Sequence, residues 1–130
     1  MAPNEYIPGV CNIGEAEIAN RTRKLKLALS LVSILTLLFL FLSYSTMLFA
    51  ITAGLSCYAS ILFFQIRHKF CIAFGWKNVF NFKQMGDSKG KVLNEEWRRM
   101  DQVLVIKILV YSLLSMFLFM SVIFLVKKII

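Results

Sequence analysis

Charge is missing from this chain over long distances. Leu27 to Ile66 runs forty residues without one charged side chain, and Ile108 to Val126 repeats the pattern. Charged residues make up only 17% of the sequence, against about 25% in an ordinary soluble domain. Acids number seven against fifteen Lys+Arg. There is one histidine, His68, and there are two prolines, both before residue 9. These gaps exclude function classes. No acid pair sits within an apolar run. No Gly-rich phosphate loop and no Ser-His-Asp set can be assembled, so the chain reads as a non-enzyme without a cofactor. A transport path usually needs ionisable groups at mid-membrane. The apolar runs offer Ser, Thr, Tyr and Cys57, which disfavours transport and intramembrane catalysis.

What is present is 58% hydrophobic. A run of forty apolar residues would make a helix of roughly 60 Å, twice a bilayer core. The polar break Ser43-Tyr44-Ser45-Thr46 divides it. The reading is therefore an all-α integral membrane protein with three transmembrane helices in a single membrane domain. Residues 27–42 and 47–66 form a helical hairpin, and 103–126 form the third span. Residues 1–26 are a cytoplasmic segment and helix start, and 67–102 an interfacial cytoplasmic connection. The first apolar run starts too far in, and lacks the cleavage signature, for a removable signal peptide.

Twelve of the fifteen Lys+Arg precede residue 100, and the 43–46 turn has none. The positive-inside rule then puts the N-terminus in the cytoplasm and the C-terminus outside, as a multi-pass membrane protein. Arg23, Lys24, Lys26, Arg67, Lys69, Lys77 and Lys83 fall where anionic lipid headgroups lie. The net charge of +8 is thus read as topology and lipid attraction. It is not read as nucleic-acid binding, and no small-molecule substrate is evident.

Local signals set the boundaries. Asn12 and Glu15 have capping-box spacing, with Glu15 and Glu17 in a first helical turn. Asn94 is placed to cap the last helix, and Glu95 and Arg99 to pair at i,i+4. Lys107, one turn inside the third span, is expected to snorkel. Small residues recur at helical spacing in the second span: Ala50 with Gly54, Ala53 with Cys57, Ser56 with Ser60. Such faces admit close helix packing, here chiefly against the first span. Residues 70–83 hold five aromatics, two lysines and no acid. Phe74, Trp76, Phe80 and Phe82 are expected at a protein or headgroup interface.

Cys11, Cys71 and His68 are the metal candidates. Three ligands fall short of a structural zinc site, so the preferred reading is structural packing and no metal. Both cysteines are expected on one surface, with the helix start at Asn12 packing near 70–82.

Two segments have motif character: Cys11-Asn12-Ile13-Gly14-x-x-Glu17, and Phe70-Cys71-x-x-Phe74-Gly75 continuing to Asn81-Phe82. Together they resemble a set of small prokaryotic membrane proteins with a Cys-Asn-Ile/Leu-Gly start and a Phe-Cys-x-x-Phe-Gly…Asn-Phe connection. That resemblance implies a prokaryotic inner (cytoplasmic) membrane and no activity. It does imply that the two segments belong together. Gly14 and Gly75 would permit close backbone approach. Asn12 and Asn81 would satisfy backbone groups. The functional expectation is an accessory or structural subunit of a larger integral membrane complex of translocation, secretion or respiratory type. The alternatives are a thiol or metal sensor, and a lipid-binding or membrane-shaping protein.

Overall fold

A computed structural model of the chain describes residues 5–42, 45–84 and 89–130. Three long helices dominate it: α1 (Glu15–Phe41), α2 (Thr46–Arg67) and α4 (Glu95–Ile129), with a short α3 (Ile72–Lys77) between the last two. All three long helices are long and apolar enough to cross a membrane. The all-α expectation needs one addition. Strands β1 (Val79–Phe80) and β2 (Gly90–Lys91) pair antiparallel, with Val79 opposite Lys91. The expected turns reach 43–44 and 85–88, which lie outside the described residues.

The helices outrun their apolar stretches at one end. The 35 residues of α4 make a rod of about 52 Å, and the 27 of α1 one of about 40 Å. A bilayer core takes about 30 Å. The polar first turns of α1 and α4 therefore extend past their apolar stretches at the end that carries α3 and the strands. That end is the cap of the molecule.

Helix α2 packs against both α1 and α4. Its buried stripe is Thr52, Ser56, Ala59, Leu62 and Gln65, a 3–4 spacing that follows the helical repeat. Small side chains in this stripe let the neighbouring backbones approach. The hydroxyls are satisfied within their own helices. Thr52 donates to Leu48 O at 2.8 Å, Ser56 to Ala53 O at 2.9 Å, and Ser112 in α4 to Ile108 O at 2.7 Å. The packing expectation for Ala50 and Gly54 is corrected. Ala50 is exposed, and nothing approaches within 4 Å of where a Gly54 Cβ would stand. That small-residue pair faces away from α1, whereas Ser56 is buried and Ser60 lies 3.4 Å from Ser115.

Capping differs between helix starts. Ser45 accepts from Leu48 N and Asn94 from Glu96 N. The box expected from Asn12 and Glu15 does not form. The N-cap of α1 is Gly14, without a side-chain bond, because the Asn12 amide is used elsewhere. The Glu95–Arg99 pair does not close either. Among the described residues the ion pair formed is Glu17–Arg21 at 2.6 Å. The far end of α1 has no basic residue in its last turn. Lys127 of α4 supplies one instead, donating to Leu40 O at 2.7 Å and Leu42 O at 2.6 Å. Unsatisfied C-terminal carbonyls favour such a cation.

Candidate functional site: the cap

The cap is built on two backbone strands that run side by side. Asn12 N donates to Lys69 O at 3.2 Å, Asn81 N to Asn12 O at 3.0 Å, and Gly14 N to Asn81 O at 2.9 Å. Ile13 and Asn81 form the parallel bridge. The Asn12 side chain closes the join from the other side. Its Nδ2 donates to Cys71 O at 3.1 Å, and its Oδ1 accepts from Cys71 N at 2.6 Å. Asn12 is fully buried. A primary amide offers a donor and an acceptor in one plane, so it reads both polar groups of one residue. Asn81 Oδ1 accepts from Lys83 N at 3.0 Å.

The join needs small residues. A Cβ on Gly14 would stand 3.0 Å from Phe82 Cα, and one on Gly75 2.6 Å from the Phe70 ring and 2.8 Å from Val105. Two non-glycine residues adopt left-handed backbone at its corners, Lys69 (φ 51) after α2 and Asn78 (φ 55) after α3. Asn is among the residues that enter this region at least cost.

A second anchor ties the N-terminal segment to α4. Asp101 is fully buried. It accepts from Tyr6 Oη at 2.8 Å and from Gly9 N at 2.8 Å. Asp101 lies just before the 103–126 span. Burial raises its carboxyl above the usual range and outweighs the opposing bonds from Gly9 and Tyr6. The same burial, with the Asp101 bond, raises the Tyr6 phenol. Tyr6 also stacks on Phe80 at 4.8 Å. A third junction joins α1 to α2. Arg21 Nε donates to Gln65 Oε1 at 3.1 Å while its Nη1 holds Glu17.

Cys11 and Cys71 do share the cap, and both are buried free thiols. Burial pushes the Cys11 thiol up, with the Ile7 bond and the Lys69 charge opposing. A protonated, enclosed thiol is a poor nucleophile and a poor ligand. His68 is not gathered with them. Among the described residues no group of three His, Cys, Asp or Glu is placed to hold a metal ion.

The aromatic residues divide. Phe74 is buried against Ile13 and Cys71. Phe80 and Phe82 are half-buried, with ring centroids 6.3 Å apart. These three are spent within the cap and are not an open interface. Trp76 is 69% exposed and stays available. Of the basic residues, Arg23, Lys24, Lys26, Arg67, Lys77 and Lys83 are exposed, and Lys69 is half-buried at the left-handed corner.

Sequence reasoning missed Asp101, Tyr6, Gln65 and Lys127. For Asp101 a signal existed. It falls on the stripe Asp101, Leu104, Val105, Ile108, Ser112, the buried face of α4, so its spacing marks a buried acid. Lys127 gave no signal, because its partners are backbone carbonyls 85 and 87 residues away.

Comparison with family models, with curated proteins and with solved structures finds no match to this chain.

Proposed function

We propose that this protein is an accessory or structural subunit of a larger integral membrane complex, with its cap in the cytoplasm of a prokaryotic cell and its C-terminus outside. The observation that carries the reading is where the buried polar groups go. In the helices that cross the apolar layer, Thr52, Ser56 and Ser112 donate to carbonyls of their own helices. In the cap, Asn12 and Asp101 clamp backbone segments together. Polar groups that already serve the fold are unavailable to a substrate path. The chain therefore works as a shaped body and not as a catalyst or carrier. Much of its membrane-depth surface is left for lipid or protein, including the Ala50–Gly54 face and exposed Phe117 and Leu118.

Gentle detergent extraction of the tagged protein from its own cells tests this. A stoichiometric set of partner chains should elute with it. A monodisperse product without partners would remove the accessory role and leave the lipid-binding alternative. The sensor alternative loses ground because Cys11 is enclosed and its thiol pKa is raised.

A further inference from the structure

A groove of about 840 Å³ opens where α1, α2 and α3 meet, with α4 behind it. Its two ends differ in chemistry. Arg21, Lys24, Lys77 and Lys89 stand around it, and the only acid is Glu17. Glu17 is neutralised by Arg21 at 2.6 Å. Three lysines remain uncompensated among the described residues. Lys24 and Lys77 are exposed, and Lys89 is positioned by the Phe74 ring, with Nζ 4.6 Å from its centroid. The other walls are apolar, formed by Ile61, Leu62 and Leu109 with Tyr58.

The order of these residues along α2 gives the groove a direction. Arg21 is bonded to Gln65 at 3.1 Å, which fixes the level of this cation on α2. Tyr58 lies two turns earlier on the same helix, about 10 Å deeper. The groove therefore leads from a cationic rim down an apolar wall. A ligand matching it has a negative head and a hydrocarbon tail. The volume is within the usual range of roughly 300–1,000 Å³ for a bound small molecule.

We propose that this groove binds one anionic phospholipid, with its phosphate among Lys24, Lys77 and Lys89 and an acyl chain against Ile61, Leu62 and Leu109. Three lysines lining one groove attract an anionic headgroup over a zwitterionic one. Exposed Trp76, also at the groove, suits the interfacial level at which a headgroup sits. The inference rests on the membrane placement above and not on the accessory role.

Native mass spectrometry of the purified full chain tests it, using phosphatidylglycerol and phosphatidylcholine with the same acyl chains. One phosphatidylglycerol per chain should be retained in preference, roughly tenfold or more. The double variant Lys24→Gln/Lys77→Gln should bring its retention down to that of phosphatidylcholine. Lys91→Gln/Lys128→Gln removes the same charge at residues that do not line the groove and should leave retention unchanged. Ile61→Trp, which fills the tail end, should weaken both lipids. Helical circular dichroism checks that each variant is folded. Equal retention of the two lipids, or equal loss in both lysine double variants, overturns the site. So does a partner helix found in the groove of the purified complex with no lipid retained.

Discussion

At the residue scale, Asn12 decides whether the cap exists as a unit. Replacing it with Ala leaves the buried N–H of Cys71 without the Asn12 Oδ1 acceptor, while Cys71 O keeps its bond from Gly75 N at 2.9 Å. Orphaned buried groups cost about 1–3 kcal/mol each. Asn12→Ala should therefore destabilise the cap by roughly 1–3 kcal/mol. Hydrogen exchange at the amides of Cys71, Asn81 and Gly14 should accelerate together, while the mid-helix amides of α2 and α4 stay protected. Unchanged exchange would show that the Asn12 bonds contribute nothing net. Asp101→Ala acts on the other anchor. It leaves Tyr6 Oη and Gly9 N without their acceptor, at a cost of about 1–3 kcal/mol. Limited proteolysis should then cut within residues 5–11, where the parent chain resists.

At the element scale, the helices were legible because their signals are local. The apolar runs set three spans, and Asn94 marked the start of the last helix. Twin glycine-and-asparagine motifs were enough to expect that residues 11–14 and 70–82 meet. What they could not give was the use of each side chain. Asn12 had the spacing of a cap, but a tertiary partner took its amide and Gly14 became the N-cap. The small residues of α2 split between two faces. Spacing alone cannot say which face is buried, and the answer is the Thr52–Ser56–Ala59 face. Lys127 is the opposite case, a bond between the far ends of α1 and α4. Lys127→Met should remove two charge-assisted bonds to α1 carbonyls, worth about 1–3 kcal/mol in all. Exchange or spin-label mobility should rise at Leu40–Leu42 and not in the cap. A rise in the cap instead would mean that the two ends are coupled through the bundle.

At the scale of the whole molecule, the described structure has one worked end and one plain body. Buried side-chain bonds between distant segments concentrate in the cap, at Asn12–Cys71, Tyr6–Asp101 and Arg21–Gln65. The helices below are joined by apolar clusters such as Phe39 with Met120 and Ile123. Basic residues crowd the same worked end, twelve of fifteen before residue 100. The central claim is that this end is held on the cytoplasmic side by a three-span body. Reporter fusions after residue 44, residue 85 and residue 130 test it most directly. The account predicts outside, inside, outside. A cytoplasmic signal from the fusion after residue 130 would contradict it, because α4 would then fail to cross.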